Sequence, residues 1–156
     1  MDYANTVFNQ CCVKFEMGKG FSVSDKESDI VLGGDTTLNV ANSCVRFSPE
    51  ESRLLTTVAP RLSSRFKVFY VEKLSTGDKA MSFPPYCASG LAASRLNFSF
   101  VSNSAMPRSL SHEFGHILLN SPGHAPGNSA KLMHPTISAT AEDLDSTDCA
   151  TVFANA

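Results

Sequence analysis

The stretch Ser111–His124 constrains this chain more than any other, because it contains H-E-x-x-H followed by a turn signal and a further histidine. On a helix, residues four positions apart share a face, with about 5–6 Å between their Cβ atoms. His112 and His116 can therefore present two imidazole nitrogens to a single metal ion. Glu113 is rotated away from such an ion but stays close to it, where a general base must lie to accept a proton from activated water.

Two further observations favour a helix whose histidines have a functional role. Apolar residues recur at helical spacing and predict a stripe that packs on the core, with the histidines on its more polar flank. This stripe consists of Leu110, Phe114, Ile117 and Leu118. The 4 histidines of the chain all fall within this short region: His112, His116, His124 and His134. Incidental histidines on a surface or core helix would not cluster in this way.

The helix is predicted to end soon after His116. Asn120 tolerates the left-handed conformation that ends helices, and Pro122-Gly123 cannot continue one. The chain then turns, so that His124 can fold back toward the first two histidines. Three protein ligands with an open fourth position are typical of a catalytic zinc site rather than a structural one. The alternative is that His124 is a solvated loop residue.

Composition places the chain among globular proteins. Its 156 residues suit one domain, 1–156, in which residues 1–39 are interpreted as an N-terminal extension or a hairpin. Hydrophobic residues make up 42% and charged residues 18%, which excludes a disordered chain. The net charge of −2 gives no reason to expect nucleic acid or an anionic membrane as partner. The longest apolar runs are only a few residues, so no membrane span is predicted.

The cysteines leave the redox compartment open but favour export. The chain has 5 of them: Cys11, Cys12, Cys44, Cys87 and Cys149. No C-x-x-C pair is present, so a structural zinc finger is not expected. Up to two disulfides fit a secreted or exported protein, although small buried thiols are an equal alternative. The acidic, polar start at Met1 is not a signal peptide. A thiolate at Cys87 that caps the zinc ion is a further hypothesis.

The pattern outside the histidine region predicts both helices and strands. A helix should begin at Ser48, because Pro49 suits the first helical position and Glu51 completes a capping box. Pro60 should end or kink that helix. Another helix is expected to start in the acidic stretch 140–143. Runs rich in apolar, β-branched and aromatic residues predict strands at 11–16, 38–47, 66–74 and 96–102, with a hairpin tip at 33–35.

Residues 79–95 are harder to assign. Pro84-Pro85 excludes a central strand there. An edge strand near 87–93 is possible, although Gly90 would weaken it. In a peptide-cleaving enzyme such an edge is useful, because an extended substrate can pair with it.

The histidine region resembles the metzincin clan of zinc-dependent metalloproteases, which includes the matrix metalloproteases and the astacins. The clan's pattern is H-E-x-x-H-x-x-G-x-x-H followed by a tight turn that holds a methionine under the metal. Residues 112–116 match its first part, and residues 131–135, with Met133 at the centre, resemble the methionine turn. The sequence departs from the clan's pattern twice: Leu119 stands where the clan has glycine, and His124 comes two residues later than usual.

The resemblance implies a fold and an activity. The fold would be α+β of the zincin or metzincin type: a small, twisted, mostly parallel sheet with an antiparallel edge strand, packed on an N-terminal helix and the active-site helix, with a C-terminal helix after the methionine turn. The activity would be hydrolysis of peptide bonds, with Zn²⁺ held by His112, His116 and His124, Glu113 as general base, and Met133 as a hydrophobic floor. Protein or peptide substrates would be the partners, with an inhibitor or pro-segment as a further one, and we expect a monomer.

Other functions stay open at this point. In gluzincins the third ligand is a glutamate on a later helix, and Glu142 falls in that range; its other interpretation is an acidic residue favoured by the helix dipole. The chain could instead be an inactive zinc-binding interaction module, although such a module has no need of Glu113. His134 could hydrogen-bond a substrate, or it could be an exposed neighbour of the turn.

Overall fold

The structure, a computed structural model, describes residues 1–41, 43, 46–83, 97–136 and 141–156. Within these ranges the chain is an α+β fold with five α-helices and two small sheets. The helices are α1 Asp2–Phe8, α2 Asp25–Leu32, α3 Pro49–Thr57, α4 Pro107–Leu119 and α5 Ser146–Asn155. The strands are β1 Thr37–Leu38, β2 Lys67–Val71, β3 Lys73–Leu74, β4 Ala80–Phe83 and β5 Phe98–Ser102.

The main sheet has an antiparallel strand at one edge, as expected, but only one of its two strand pairs in the described chain is parallel. Its strand order is β2-β5-β4, with β2 parallel to β5 and β4 antiparallel to β5. The β1 and β3 strands form a separate parallel pair. All five residues of β5 are buried, as expected for a central strand. The strand predicted at 96–102 is confirmed as β5, whereas the one predicted at 66–74 is divided at Glu72 into β2 and β3, which belong to different sheets. The edge strand proposed near 87–93 and Leu96 lie outside the described residues.

The sheet lies between two layers of helices. Phenylalanines on one face of it, including Phe98 and Phe100, form a core with residues of α2 and α3. Val101 on the other face joins a second core, built mainly from α1, α4 and α5. Because β5 alternates its side chains between the two cores, its position fixes α4 against the sheet.

The capping signals explain where α3 begins and ends. The Ser48 side chain accepts a hydrogen bond from the Glu51 N–H at 3.0 Å, and the Glu51 carboxylate accepts one from the Ser48 N–H at 2.8 Å. Pro49 occupies the first helical position. After Thr57 the chain tightens into a 3₁₀ turn, Ala59–Arg61, which contains Pro60. The predicted capping box and the break at the proline are both confirmed.

Two N-terminal predictions were wrong. Residues 11–16 are not a strand: a 3₁₀ turn, Asn9–Cys11, is followed by irregular chain. Burial nonetheless alternates along this segment as it would in a strand, with Val13 and Phe15 in the core. The backbone of Phe15 pairs with a side chain instead of a strand, since Asn5 Oδ1 accepts from its N–H at 2.6 Å and Asn5 Nδ2 donates to its carbonyl at 3.0 Å.

The stretch 33–35 is not a hairpin tip. Gly33, with φ +76°, is the left-handed cap that ends α2, and α2 itself begins at a capping box between Ser24 and Glu27. The strand predicted over 38–47 was largely wrong. Only Leu38 belongs to a strand, β1; residues 39–41, 43, 46 and 47 are irregular, and residues 42, 44 and 45 lie outside the described chain.

The C-terminal helix exists but begins later than expected. Asp145, rather than a residue of the stretch 140–143, is its N-cap: the Asp145 carboxylate accepts from the N–H groups of Thr147 and Asp148 at 3.0 and 2.9 Å. Val152 is fully buried, whereas Phe153 is 65% exposed. Thr140 lies outside the described residues.

A disulfide joins the two ends of the chain. Cys11, at the end of the 3₁₀ turn after α1, is bonded to Cys149 on α5, 138 residues away. Cys12 is a free, exposed thiol. Cys44 and Cys87 lie outside the described residues, so the capping role considered for Cys87 is not tested. In the described part of the chain, we find no helix with the length and apolar character that a membrane span requires.

Candidate metal centre

The helix that carries the first two histidines is the most buried helix of the described chain. Pro107 opens α4, and Asn120 ends it in the left-handed conformation (φ 50°, ψ 45°), as predicted. Every residue from Arg108 to Leu118 is buried, so the apolar stripe is confirmed but the opposite face is not solvated. The histidine flank instead faces a cleft between α4 and β4.

The structure brings His112, His116 and His124 together. One candidate ligand atom from each of the three rings lies within 4.8 Å of the others. The ring centroids are 4.7 Å apart for His112 and His116, 5.2 Å for His112 and His124, and 4.9 Å for His116 and His124. The chain after α4 therefore folds back as the turn signal predicts, and these three side chains lie close enough to bind one metal ion.

Backbone carbonyl groups fix the orientation of two of the rings. His112 Nδ1 lies 2.7 Å from the carbonyl oxygen of Leu132, and His116 Nδ1 lies 2.8 Å from that of Ser121. A carbonyl oxygen only accepts hydrogen bonds, so both Nδ1 atoms must carry the proton and donate it. Both Nε2 atoms are then unprotonated and free to bind a metal. Ligating histidines normally have such a carbonyl or carboxylate partner at their other nitrogen.

Burial keeps these imidazoles neutral. His112 is only 3% exposed to solvent, and His116 is 8% exposed. Burial lowers the pKa of His112, and the neighbouring His124 adds to this effect while the hydrogen bond to Leu132 opposes it. Burial, followed by the charge of His112, lowers the pKa of His116 to about 4. Since metals bind the neutral imidazole, both side chains are in the competent form at neutral pH.

Glu113 is a buried carboxyl group beside the same cleft. The residue is 5% exposed, and burial raises its pKa from 4.5 to about 7. The negative charge of Asp78 adds to this rise, while the Ser82 hydroxyl lowers the pKa in part. A carboxyl group with a pKa near neutrality can both accept and donate a proton at physiological pH.

Met133 lies in a tight turn beneath α4. The His134 N–H donates to the Lys131 carbonyl at 3.1 Å and closes the turn. Met133 is 4% exposed, and a Cβ atom built on Gly115 would lie 2.3 Å from its sulfur. The helix can approach the turn this closely because residue 115 has no side chain. The Ala125 N–H donates to the Met133 carbonyl at 2.7 Å, which links the His124 loop to the same turn.

The cleft beside the histidines is bordered by α4, by the edge strand β4 and by the loops that follow α4 and the turn. The residues that line it are Gly77, Asp78, Lys79, Ala80, Met81, Ser82, Met106, Ser109, His112, Glu113, His116, Pro122, His124, Pro135 and Thr136. The three histidines, the buried glutamate and a strand edge therefore share one open space.

Glu142 is not part of the cluster, in contrast to the gluzincin alternative. Its carboxylate accepts hydrogen bonds from Arg108 Nη2 at 2.6 Å and from the Tyr3 hydroxyl at 2.9 Å. His134 is also outside the cluster and does not line the cleft; its Nδ1 lies 3.0 Å from the carbonyl oxygen and 3.1 Å from the amide nitrogen of Thr136.

Sequence reasoning missed the groups that hold the ligands in place. The carbonyl groups of Leu132 and Ser121 belong to the backbone, so residue type does not reveal them. Gly115 is different, because a glycine in the middle of a helix is costly relative to alanine and is itself a sign of close packing.

Comparisons with known proteins do not identify the chain: no protein-family model matches it, and neither curated proteins nor solved structures gave a match.

The donor set fits a transition metal better than calcium or magnesium. Imidazole nitrogens suit zinc, copper, iron and nickel, whereas calcium and magnesium prefer oxygen ligands. Three imidazole ligands would leave one position open in a tetrahedral site, and all three histidines line the cleft that Glu113 also lines.

Proposed function

We propose that the chain is a zinc-dependent endopeptidase of the metzincin type. His112, His116 and His124 would hold Zn²⁺, and Glu113 would be the general base. The observation that carries this proposal is the convergence of three imidazoles beside a buried glutamate in one cleft. Zinc is favoured over other metals because H-E-x-x-H on a helix is the pattern of zinc metalloproteases.

The chemistry divides between the metal and the chain. When bound, zinc supplies Lewis acidity, which polarises a peptide carbonyl and lowers the pKa of a water molecule to about 7. The Glu113 carboxylate accepts the proton of the attacking water and passes it to the nitrogen of the leaving amine. The Nδ1 protons of His112 and His116 are committed to carbonyl groups, so neither ring competes for this task.

The edge strand suggests how a substrate binds. Strand β4 is paired with β5 on one side only within the described chain, and three of its residues, Ala80, Met81 and Ser82, line the cleft. An extended peptide can add to such an edge through main-chain hydrogen bonds. A substrate bound in this way would run past Glu113, with its scissile bond between the strand and the histidines.

The disulfide supports the expectation of export. Disulfides persist in oxidising compartments and are rare in reducing ones. The Cys11–Cys149 bond therefore favours a secreted or exported peptidase.

The test compares zinc content and casein cleavage in the wild type, in Glu113→Ala and in Glu16→Ala. Glu16 is an exposed glutamate and serves as the matched control. We expect all three proteins to bind zinc. The cleavage rate should fall by about 10²–10⁴-fold in Glu113→Ala, the usual contribution of a general acid–base group, and stay unchanged in Glu16→Ala.

Three outcomes would contradict the proposal. Equal cleavage by the wild type and Glu113→Ala would refute the assigned base. A zinc-loaded wild type that cleaves nothing would favour an inactive zinc-binding module. A wild-type protein that binds no zinc would exclude both the zinc-dependent peptidase and the inactive zinc-binding module.

A further inference from the structure

A closed circuit of contacts leaves α4 at Arg108 and returns to the same helix at His112. Arg108 and His112 are four residues apart, so they lie on one face of α4 with about 6 Å of helical rise between them. The circuit runs from Arg108 through Glu142 to the methionine turn, and from Leu132 of that turn to His112. Glu142 is thus connected to the metal centre without belonging to it.

The first half of the circuit is an ion pair. Arg108 Nη2 donates to Glu142 Oε1 at 2.6 Å, and the Arg108 side chain is only 11% exposed. The Tyr3 hydroxyl donates to the same oxygen at 2.9 Å, and the Tyr3 ring lies 4.7 Å from the guanidinium carbon. Arg108 Nη1 is buried and has no hydrogen-bond partner in the described part of the chain. The Glu142 carboxylate is therefore the group that compensates the buried guanidinium charge.

The second half of the circuit is backbone. The N–H groups of Glu142 and Asp143 both donate to the Ala130 carbonyl, at 2.8 and 2.9 Å, and the Leu132 N–H donates to the Asp143 carbonyl at 2.9 Å. The Leu132 carbonyl accepts from His112 Nδ1 at 2.7 Å. The N-terminal region supports the same segment, because Gln10 Nε2 donates to the Glu142 carbonyl at 2.8 Å.

From this circuit we infer that Glu142 is a positioning residue for His112. Its ion pair with Arg108 holds the segment 142–143 at a set distance from α4, and that segment holds the Leu132 peptide. The Leu132 carbonyl keeps the His112 proton on Nδ1, so that Nε2 stays unprotonated and available to the metal. The inference rests on the metal centre of the proposed function, but not on peptide cleavage.

The test measures two properties in Glu142→Ala, Glu142→Gln and Tyr3→Phe. One is the zinc dissociation constant, obtained by competition with a chelating dye. The other is the tautomer of His112 in the metal-free protein, obtained from ¹⁵N chemical shifts of the ring. Glu27→Ala is the matched control, because Glu27 forms an ion pair of the same 2.6 Å length with Arg61, with side chains 42% and 43% exposed.

In Glu142→Ala we expect the zinc dissociation constant to rise about 10-fold, the lower end of the effect of losing an outer-shell partner. The His112 ring should change from a single Nδ1–H tautomer to a mixture. Glu142→Gln keeps an acceptor oxygen for Arg108 and Tyr3, so it should restore part of both properties. Tyr3→Phe removes one hydrogen-bond donor to Glu142 and should raise the zinc dissociation constant by less. Glu27→Ala should match the wild type in both zinc affinity and His112 tautomer.

A folded Glu142→Ala protein with wild-type zinc affinity and an unchanged His112 tautomer would overturn the inference. Similar losses in Glu27→Ala would do the same, because they would indicate a general effect of lost stability. If Glu142→Ala does not fold, the same two measurements on Glu142→Gln and Tyr3→Phe decide. Failure of the proposed function would appear separately, as a zinc-loaded wild type that cleaves no casein.

Discussion

Burial sets the charge state of single residues at the site, and it acts in opposite directions on acid and base. Folding raises the pKa of Glu113 from 4.5 to about 7. Between these two pH values the folded protein keeps the carboxyl proton that the unfolded chain releases. This contribution to stability is lost as the pH rises. Burial lowers the pKa of His116 from 6.5 to about 4, so this side chain stays neutral at pH values where the unfolded chain gains a proton. The contribution of His116 to stability is therefore lost as the pH falls.

The Glu113 effect can be isolated by comparing the metal-free wild type with Glu113→Gln. The histidine contributions are common to both proteins and cancel in the difference. We expect Glu113→Gln to gain stability over the wild type as the pH rises from 4 to 8, by about 3 kcal/mol in the free energy of unfolding. Urea unfolding in the presence of a chelator measures this difference. A difference that does not change with pH would show that the Glu113 carboxyl is not desolvated as described.

At the scale of elements, α4 and the methionine turn are held together at one close contact. Alanine at position 115 would gain about 1 kcal/mol in helix propensity, yet its Cβ would lie 2.3 Å from the buried Met133 sulfur. Since overpacking typically costs about 1–3 kcal/mol, we expect Gly115→Ala to lower the free energy of unfolding and to weaken zinc binding.

Gly20→Ala is the control for this change, because no atom lies within 4 Å of a Cβ built at Gly20. Its stability should stay within about 0.5 kcal/mol of the wild type. Thermal unfolding and zinc titration of both variants test the contact. A Gly115→Ala protein as stable as the control would mean that Met133 can move away without cost.

The disulfide is the second link between elements, since it ties the turn after α1 to α5. Replacing Cys11 and Cys149 together by alanine should lower the free energy of unfolding by about 2–5 kcal/mol, as for other small domains that lose a native disulfide. Cys12→Ala, which removes the free thiol next to the bridge, should have little effect. Denaturant unfolding under non-reducing conditions compares the variants. An equal loss in both would indicate that the native pairing involves Cys12.

Elements defined by local rules were predictable from the sequence. The Ser48–Glu51 capping box fixes the start of α3, and Asn120 with Pro122 fixes the end of α4. The return of His124 follows from that end, because a chain stopped there must turn. Residues 11–16 have the composition of a strand but do not pair as one, since the Asn5 side chain takes the place of a strand partner.

What the sequence could not reveal depends on contacts between distant segments. The hydrogen bond from His112 to the Leu132 carbonyl joins residues 20 positions apart through a backbone atom, which leaves no signature in residue type. Glu142 has the residue type of a metal ligand, and only the positions of Arg108 and Tyr3 show that its carboxylate already accepts hydrogen bonds elsewhere. The delayed start of α5 has a similar cause: acidic residues at both 142–143 and 145 suit a helix start, and the pairing of 142–144 with 130–132 and Gln10 excludes the first.

At the scale of the whole molecule, every layer contributes to one centre. The sheet supports α4, the loop after α4 returns His124, and the turn with its partner segment orients His112. The account therefore depends on one claim, that these three imidazoles bind a single divalent cation beside Glu113.

Anomalous scattering from a crystal grown with zinc, recorded on both sides of the zinc absorption edge, tests that claim most directly. We predict one strong peak about 2.0–2.1 Å from a ring nitrogen of each of His112, His116 and His124, with its open side toward the cleft and Glu113. No peak between His112 and His116, or a peak whose ligands exclude His124, would contradict the account.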